Sequence, residues 1–399
     1  MTAPNPVAVT GTAMVTCLGD DDETFAALLA GRSGVSRLSN VDGETLGVTH
    51  GYPIEDGPER QLRPSGWLAD VVARAAAAAG LDPATRRVAV VVGSGLRELR
   101  SVERWHADGA ELSLPDLHFD AAVRSVLPDV TEVLTISNAC SAGGYALAVG
   151  LDLLAADEAD AVVVAATDTM TESMLAMIGR VGDEPVTAVA PFDADRGGVL
   201  LGDGAAAVVI EPAADLDEPR PLIRSVGLSC DAFHETAPDR DGIVAAMRDA
   251  HDRAGIEPGG IDLVLAHGTG TALNDPTESA ALASVFGSDG PRITGIKGAT
   301  GHTSGGAALM SLLVAIHAMR TGVVPAITGL RTPLDEAAGL GLVVGSPEPA
   351  AARIAQVDAF GFGGVNAVTL VEVGMSELAS ESVSQGDRER LARACEGES

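Results

Sequence analysis

The sequence predicts an α/β fold made of two similar halves around mostly parallel strands. Short apolar runs rich in Val, Ile and Ala alternate with Ala-rich stretches of helical spacing. Buried β-rich runs separated by helices are typical of parallel sheets that carry helices on their faces. An eight-residue pattern also recurs, because Cys140-Ser-Ala-Gly-Gly-Tyr-Ala-Leu147 aligns with His302-Thr-Ser-Gly-Gly-Ala-Ala-Leu309. Both copies follow an apolar strand and open a helix, which indicates an internal duplication.

The apolar runs predict eleven strands, and the Ala-rich stretches predict five long helices. In chain order the strands are Val7–Val15, Arg87–Val92, Val133–Ser137, Ala161–Ala166, Ala205–Glu211, Leu222–Leu228, Ile261–Ala266, Ile293–Ile296, Gly341–Val344, Ala355–Ala359 and Ala367–Val373. The helices are Leu68–Ala79, Ala142–Ala156, Gly242–Ala254, Thr277–Val285 and Gly305–Met319. The duplication divides the chain into an N-terminal half at 1–215 and a C-terminal half at 216–374. A polar tail follows at 375–399.

Charge and cysteine content exclude several classes of protein. The chain has 26 Lys and Arg residues against 56 Asp and Glu residues, a formal net charge of −30. So acidic a chain is poorly suited to nucleic acid or to anionic membranes, which both attract clustered cations. The four cysteines lie far apart without metal-ligand spacing, and no apolar run approaches the length of a membrane span. We therefore expect a soluble, reduced, cytoplasmic protein with no metal site, nucleic-acid partner or membrane contact.

Cys140 is the candidate nucleophile, and two histidines are its candidate partners. A thiol at the start of a helix faces free N–H groups, which lower its pKa, although a buried structural cysteine is the common alternative. His302 takes the place of Cys140 in the second copy of the repeat, so a pseudo-twofold arrangement brings both side chains into one site. His267 ends a buried strand, where open α/β sheets place ligands. Two imidazoles that converge on a thiol favour acid–base and nucleophilic catalysis.

Lys297 is the one lysine in the chain, while every other basic residue of the Lys and Arg class is Arg. Its retention five residues before His302 indicates a role that arginine cannot fill. We expect a structural ion pair with Asp275 or Glu278 that holds the histidine loop.

Two Gly-rich loops complete the predicted site. The loop Gly361-Phe-Gly-Gly364 can supply a backbone N–H for an oxyanion hole, together with the N–H of Cys140. Thr269 and Thr271 can hydrogen-bond a polar ligand chain.

Five stretches in order then resemble one family, the β-ketoacyl synthases, which are the condensing enzymes of fatty-acid and polyketide assembly. They contain the nucleophile segment, a central hairpin, two histidine segments and a C-terminal loop. The stretches are Thr135–Gly144, Pro191–Gly198 with Gly202–Ala205, His267–Glu278, Lys297–His302 and Phe360–Asn366. The order and spacing extend over nearly the whole chain.

The resemblance implies a thiolase-like fold with duplicated halves in αβαβα layers, assembled as a homodimer or as a heterodimer with a sister subunit. It implies that Cys140 accepts an acyl group from an acyl carrier protein, and that His267 and His302 support decarboxylation of a malonyl thioester. The N–H groups of Cys140 and Phe362 form the oxyanion hole, and Thr269 and Thr271 contact the phosphopantetheine arm. Phe360 and Phe362 shape the gate. No cofactor other than the carrier's own arm is implied.

Departures from the family pattern leave other functions open. The segment between Gly95 and Cys140 is shorter than usual, although it normally contributes to the acyl pocket and the dimer interface. One alternative is a chain-length-factor-like partner that does not condense, and another is an acyltransferase that does not decarboxylate.

An acidic carrier protein needs a local basic patch, for which we select five arginines. They are Arg60, Arg63, Arg97, Arg100 and Arg104.

Overall fold

The computed structural model describes residues 6–39, 41–180, 185–216 and 219–374, so the predicted tail at 375–399 lies outside the described residues. The strands are β1 (Val7–Thr16), β2 (Ser36–Arg37), β3 (His50–Gly51), β4 (Val88–Gly93), β5 (Glu132–Ile136), β6 (Ala161–Asp168), β7 (Gly204–Pro212), β8 (Leu222–Cys230), β9 (Leu263–Leu265), β10 (Arg292–Thr294), β11 (Val323–Val324), β12 (Gly341–Leu342), β13 (Glu348–Pro349), β14 (Ile354–Gly361) and β15 (Val365–Glu372). The helices are α1 (Asp21–Leu29), α2 (Gly43–Leu46), α3 (Arg63–Ala79), α4 (Leu99–Asp108), α5 (Asp120–Val126), α6 (Ala142–Ala155), α7 (Glu172–Ile178), α8 (Arg240–Ala254), α9 (Asn274–Phe286), α10 (Lys297–Thr300) and α11 (Ala307–Thr321).

Two sets of five strands share one order and one pattern of directions. The N-terminal set runs β1-β7-β6-β4-β5, and the C-terminal set runs β8-β15-β14-β9-β10. In each set the first two pairings are antiparallel and the last two are parallel. The predicted duplication is confirmed by this match of order and direction.

The two sets also join edge to edge. Val7 of β1 pairs with Ile223 of β8, and Ala8 pairs with Leu222. Strand β12 adds to the far edge beside β10, so the hydrogen-bonded sheet has eleven strands within the described residues. The two five-stranded sets that were expected are therefore present, and the short pairing of β1 with β8 joins them into one continuous sheet.

Helices cover the strands in the αβαβα order that the resemblance implied. Helices α3 and α5 pack outside the N-terminal set, α8 and α9 pack outside the C-terminal set, and α6 and α11 lie between the two. Strand β4 shows why its residues are apolar on both sides. Val88, Val90 and Val92 face the outer core, whereas Ala89 and Val91 face the central layer. Strands buried on both faces carry continuous apolar runs instead of alternating ones.

The central helices approach each other closely at their N-terminal ends. A Cβ atom on Gly143 would lie 2.8 Å from the carbonyl oxygen of Gly305, and one on Gly144 would lie 2.6 Å from the Cβ of Ala367. Real Cβ atoms do not approach so near, so glycine is required at both positions. This packing brings the starts of α6 and α11 together, and with them the predicted site.

All eleven predicted strands and all five predicted helices are present, with ends shifted by a few residues. Among the described residues, the sequence interpretation missed six shorter helices, α1, α2, α4, α5, α7 and α10, and four two-residue strands, β2, β3, β11 and β13. The predicted boundary at residue 215 falls in the connection between β7 and β8, and the division into two domains stays a prediction.

Candidate active site

Cys140 lies in a strained turn between β5 and α6. A 3-10 turn at Ala139–Ser141 leads directly into the helix, and Ala139 has a left-handed φ of 59°. Such a conformation is costly for a residue with a Cβ and persists only where the surroundings fix it. The turn directs the thiol into the space between the two halves, where Cys140 is 9% exposed.

His302 lies beside the thiol on a segment held by backbone hydrogen bonds. Its N–H donates to Leu200 O at 2.9 Å, and its carbonyl accepts from Gly202 N–H at 3.1 Å. The ring places Nε2 at 3.0 Å from Cys140 Sγ. Its other ring nitrogen, Nδ1, is buried and has no hydrogen-bond partner among the described residues. The predicted convergence of thiol and imidazole is therefore present.

His267 completes the cluster from the end of β9. Its ring meets the His302 ring edge to face, with centroids 5.3 Å apart and an interplanar angle of 87°. Glu278 on α9 fixes the backbone here, because its carboxylate accepts from His267 N–H at 2.6 Å and from Gly268 N–H at 2.8 Å. Removal of that carboxylate would leave two buried donors unpaired, at about 1–3 kcal/mol each.

Lys297 contacts His267 instead of a carboxylate. Its Nζ donates to the carbonyl oxygen of His267 and lies 3.3 Å from Nδ1 of the same residue. The expected ion pair with Asp275 or Glu278 is wrong, since no contact within 4.0 Å joins Lys297 to either carboxylate in the described part of the chain. The carboxylates are occupied by backbone N–H groups of the histidine loop and act on Lys297 through their charge alone.

Asp275 supports the loop after His267 in the way that Glu278 supports its start. It accepts from the N–H groups of Thr269 and Gly270 at 3.1 Å and from Phe192 N–H at 2.7 Å. Asn274, which the sequence interpretation missed, bridges both carboxylates through its side-chain amide. The predicted supporting role of Asp275 and Glu278 thus takes the form of backbone capping.

The pKa of the Cys140 thiol differs from the value that the sequence led us to expect. Burial raises the pKa of Cys140 to about 11, and the charge of Asp168 adds to this rise. The charge of Lys297 and the N–H groups of Phe362 and Cys140 lower the pKa only in part. The expectation of a lowered thiol pKa is wrong because burial outweighs the helix terminus. At neutral pH the site therefore holds a protonated thiol beside an imidazole that can accept its proton.

Both imidazoles are neutral. Burial lowers the pKa of His302 and of His267 well below 6.5, and the charge of Lys297 lowers both further. In His267, Nδ1 faces the ammonium of Lys297 and the N–H of Phe360 at 3.4 Å. Both neighbours are donors, so Nδ1 is the acceptor and Nε2 carries the proton. The His267 tautomer is thus fixed with an N–H free to face a ligand.

The repeat aligns differently in three dimensions from the sequence alignment. Cys140 lies two residues before α6 begins at Ala142, whereas His302 lies five residues before α11 begins at Ala307. The counterpart of Ala139 is Ser304, which also has a left-handed φ, of 44°, and also opens a 3-10 turn. Cys140 therefore corresponds to Gly305, and the placement of His302 as its duplicate is wrong. His302 and Lys297 belong to a longer connection in the C-terminal half.

The other residues that were predicted to contact a ligand differ in their position and in their exposure. The N–H groups of Phe362 and Cys140 both act on Sγ, which agrees with a pair of donors for an oxyanion. Thr269 and Thr271 lie side by side, with their Oγ1 atoms 3.0 Å apart. Phe360 is buried against the His267 ring, with centroids 5.5 Å apart, whereas Phe362 is 43% exposed. Phe362 is thus the member of the pair that lies at a surface.

The five arginines selected as a carrier-docking patch do not form one. Arg63 and Arg100 are buried, and they pair with acidic side chains that include Asp56 and Glu59. Three others pair with neighbours or backbone: Arg60 with Asp56, Arg104 with Asp108, and Arg97 with the carbonyl of Leu117. The expectation of one basic patch is wrong because neighbouring carboxylates pair with four of these arginines, and Arg97 bonds a backbone carbonyl.

Neither a metal site nor a membrane span is found in the described ranges. No group of three or more His, Cys, Asp or Glu side chains there could hold a metal ion. No helix of this part of the chain is long and apolar enough to cross a bilayer.

Comparison with known proteins gives the family that the sequence motifs resemble. The family model of the β-ketoacyl synthase N-terminal domain matches residues 61–215, and that of the C-terminal domain matches residues 221–331. A 3-oxoacyl-[acyl-carrier-protein] synthase 2 of Mycobacterium tuberculosis is 31% identical over 403 residues, which cover 90% of this chain and 95% of the relative.

Solved structures agree over nearly the whole chain. The ishigamide ketosynthase/chain length factor matches with a TM-score of 0.85 and 30% identity, covering 93% of this chain and 100% of that chain. A β-ketoacyl synthase of Burkholderia phymatum matches with a TM-score of 0.84 and 25% identity over the same shares. The chain therefore belongs to the β-ketoacyl synthase family, and it is an acyltransferase of fatty-acid or polyketide synthesis.

Proposed function

We propose that the chain catalyses decarboxylative Claisen condensation of an acyl group bound to Cys140 with a malonyl group on an acyl carrier protein. The observation that carries the proposal is the contact of 3.0 Å between Cys140 Sγ and His302 Nε2, beside a second neutral imidazole. A protonated thiol needs a base at this distance to become a nucleophile. The substrates arrive on the carrier's phosphopantetheine arm, and the mechanism requires no further cofactor.

The first step transfers the acyl group to the protein. His302 Nε2 takes the proton of Cys140, and Sγ attacks the carbonyl carbon of the acyl thioester. The N–H groups of Cys140 and Phe362 stabilise the oxyanion of the tetrahedral intermediate. The carrier's thiolate leaves and takes the proton from His302, so the imidazole is neutral again.

The second step forms the carbon–carbon bond. Once the thiol is acylated it no longer donates to His302, and the neutral His302 ring can carry its proton on Nε2. In that tautomer it donates, together with the Nε2–H of His267, to the carbonyl oxygen of the malonyl thioester and stabilises the charge that develops there. The carboxylate leaves as CO₂, and its bonding electron pair remains on the adjacent carbon. That carbon attacks the Cys140 thioester, Sγ leaves and is reprotonated from solvent, and a 3-oxoacyl thioester remains on the carrier. Neutral imidazoles suit this step because a ring N–H can donate a hydrogen bond to the negative enolate oxygen without giving up its proton.

Thr269 and Thr271 are the proposed contacts of the pantetheine arm. Thr271 Oγ1 already accepts from Asn274 N–H, which fixes the hydroxyl pair at the mouth of the site. Two adjacent hydroxyls offer donor and acceptor to the amides of an extended arm. Phe362, at the surface above Sγ, is the proposed gate residue.

Two alternatives keep the family and change the chemistry. A partner subunit of the chain-length-factor type is favoured by the short segment before Cys140 and by the structural neighbour that contains such a factor. An acyltransferase without decarboxylation needs Cys140 and His302 but not His267. The complete thiol and imidazole cluster argues for condensation over both.

The test is product analysis with two carrier-bound substrates. The protein is incubated with an acyl-carrier thioester and a malonyl-carrier thioester, and the carrier-bound products are separated and weighed. A 3-oxoacyl product supports condensation. Unchanged substrates point to a partner subunit, and an acyl group moved to another acceptor without CO₂ points to plain acyl transfer.

Substitution of Lys297 tests the role of the one lysine. Lys297 is enclosed at 2% exposure, and its compact ammonium contacts both the carbonyl and Nδ1 of His267. The longer planar guanidinium of Lys297→Arg keeps the charge but cannot take this position, so we expect condensation to fall about 10- to 100-fold. The rate at which the purified variant forms 3-oxoacyl carrier measures the effect.

Lys297→Met separates the charge of the residue from its shape. The charge of Lys297 lowers the pKa of both histidines, so a neutral residue raises those pKa values. We expect the acid limb of the rate profile to move to higher pH in Lys297→Met and to stay in place in Lys297→Arg. Wild-type activity in Lys297→Arg would show that the site does not require a lysine at this position.

An acyl carrier protein is the proposed partner, and Arg196 is the proposed docking cation. Arg196 lies at the mouth, where it donates to the carbonyls of Thr271 and Asp193, and no carboxylate pairs with it within 4.0 Å in the described ranges. We expect Arg196→Glu to raise KM for the carrier substrate about five- to tenfold at low salt and less at high salt. Steady-state kinetics at two ionic strengths check this, with Arg253→Glu at the far end of α8 as the matched control. Equal KM values in both variants would exclude Arg196.

A second subunit is the other proposed partner, either a copy of this chain or a related one. Strand β5 is an edge of the sheet, and all of its residues are half-buried. An open edge with apolar side chains is a surface for strand pairing. We propose that two subunits pair through β5. The molecular mass of the protein in solution tests whether it forms a dimer. We also propose that the enzyme acts in the cytoplasm.

A further inference from the structure

Asp168 is a buried carboxylate that the catalytic scheme does not use. It ends strand β6 and is 1% exposed. Four donors surround it, and the sequence interpretation assigned it no role. They are Ser94 Oγ at 2.7 Å, Gly95 N–H at 2.7 Å, Leu96 N–H at 2.8 Å and Gly305 N–H at 2.7 Å. A carboxylate with all its acceptor capacity used by fixed donors is a rigid junction, because charge-assisted hydrogen bonds are the strong ones.

The junction links the two halves of the fold directly below the candidate site. Gly95 follows β4 in the N-terminal half, and Gly305 lies in the turn before α11 in the C-terminal half. Asp168 Oδ2 accepts from both N–H groups. A Cβ on Gly305 would lie 2.6 Å from Gly95 N, so the two loops are in direct contact. One oxygen atom therefore holds a loop of each half.

The turn that Asp168 holds is a strained one. Ser304 has a left-handed φ of 44° and opens the 3-10 turn Ser304–Gly306. This turn follows His302 by two residues. A strained backbone stays in place only where its surroundings fix it. Asp168 supplies that fixation through Gly305.

The duplicated fold gives a second view of the same contact. Asp168 is the last residue of β6 and pairs with Gly204, the first residue of β7. Its counterpart is Gly361, the last residue of β14, which pairs with Val365 at the start of β15. Each strand end reaches the turn of the opposite half, because Asp168 binds Gly305 while the loop after Gly361 directs Phe362 N–H to Cys140. The contact made by the loop after Gly361 directs an N–H group to the reacting thiol. The contact made by Asp168 fixes the turn at Gly305.

We propose that Asp168 is a positioning residue that clamps the Ser304–Gly306 turn, and with it His302, against the half that carries Cys140. The clamp keeps Sγ and Nε2 at reaction distance while the loop at Phe362 exchanges substrates. Asp168 acts on His302 through Gly305 and the turn. Its negative charge also raises the pKa of the Cys140 thiol, so the test includes Ser94→Ala, which weakens the clamp and keeps that charge. The part of this inference that concerns condensation rests on the proposed function.

The experiment is a double-mutant cycle on a reaction that needs no carrier protein. Alkylation of Cys140 by iodoacetamide is measured by peptide mass mapping, with the exposed Cys230 as internal reference. His302→Ala is made in the wild type and in Asp168→Asn. We expect it to change the alkylation rate about threefold or more in the wild type and less than about 1.5-fold in Asp168→Asn, since the clamp no longer holds His302 to the thiol.

A second variant and a control guard against loss of fold. Ser94→Ala removes one of the four donors and keeps the charge, so it should weaken the coupling partly. Glu98→Gln alters another buried carboxyl, one that accepts from Ser65 and Ser101, and should lower the melting temperature without touching the coupling. In steady state, Asp168→Asn should lower kcat about 10- to 100-fold and leave KM for the carrier within about twofold.

Two results would overturn the proposal. Full coupling between Cys140 and His302 in both Asp168→Asn and Ser94→Ala would show that the turn is held without Asp168. Equal loss of coupling in Glu98→Gln would show a general effect of stability. Because alkylation does not depend on condensation, these results stand apart from the failure of the proposed function, which appears as a wild type that forms no product.

Discussion

Cys140→Ala is expected to abolish acyl transfer to the protein and to lower condensation at least about 10³-fold, while malonyl decarboxylation stays measurable. The variant removes the nucleophile, so no thioester can form on the protein. It leaves His267 and His302 in place, and these are the groups proposed to face the malonyl carbonyl. Intact mass after incubation with an acyl-carrier thioester reports acylation, and CO₂ release from malonyl carrier reports decarboxylation.

Cys230→Ala is the matched control for this variant, because Cys230 is an exposed cysteine at the end of β8. It should take up the acyl group at the wild-type rate. Persistent acylation of Cys140→Ala at a single site would contradict the assignment of the nucleophile. Loss of decarboxylation together with acylation would contradict the separation of thiol and imidazole roles.

The two histidines are expected to fail at different steps. His302→Ala removes the group at 3.0 Å from Sγ, so it should slow both acylation and decarboxylation by about 10²- to 10⁴-fold. His267 contacts the ring of His302 and is held by Lys297 and Glu278, and it is not the partner of the thiol. His267→Ala should therefore keep acylation near the wild-type rate and lose decarboxylation by a similar factor.

Rates of the two steps are measured separately, by rapid-quench intact mass for acylation and by CO₂ release for decarboxylation. His251→Ala serves as control, since His251 is a buried histidine of α8 that bonds Gln356 away from the thiol. His251→Ala should lower the stability of the fold and leave the rates of acylation and decarboxylation unchanged. Equal loss of both steps in His267→Ala would contradict the division of labour, and unimpaired acylation in His302→Ala would exclude His302 as the base.

The elements that the sequence predicts well are those with one dominant signal. Strand β6 is a continuous apolar run because helices cover it on both faces. Helices α6 and α11 are rich in alanine because they lie buried between the two sets of strands. Helices such as α4 and α7 were missed because they are short or polar, and tertiary contacts fix them. Glu103 of α4 caps the start of α7 by accepting from the N–H groups of Glu172 and Ser173.

The candidate site was predictable in its residues and less so in its interactions. Cys140, His267, His302 and Lys297 converge as expected, and Asp275 and Glu278 support the loop beside them. The contacts of Lys297 could not be inferred, because a backbone carbonyl leaves no mark in a sequence. Likewise, the repeat pattern could not reveal that the second half carries extra residues between strand and helix.

Burial explains the errors about charge. The pKa of the thiol is raised, not lowered, because desolvation of a buried group outweighs the effect of the helix terminus. Arg63 and Arg100 were taken for surface cations, yet both lie inside and pair with Asp56, Glu59 and other carboxylates. Asp168 had one usable signal, an acidic residue at the end of the apolar run Ala161-Val-Val-Val-Ala-Ala-Thr167. An acid at that place costs too much to bury without donors.

The central claim is that Cys140 holds an acyl group that a decarboxylated malonyl carbon then attacks. The most direct measurement is a single turnover on the wild-type protein, first acylated from a carrier thioester and freed of excess substrate. Malonyl carrier is added, and intact mass and CO₂ are followed together. The account predicts that the acyl mass disappears with the release of one CO₂ per acyl group and with an equal amount of 3-oxoacyl carrier. No acyl mass at the first stage, or loss of the acyl group without CO₂, would contradict it.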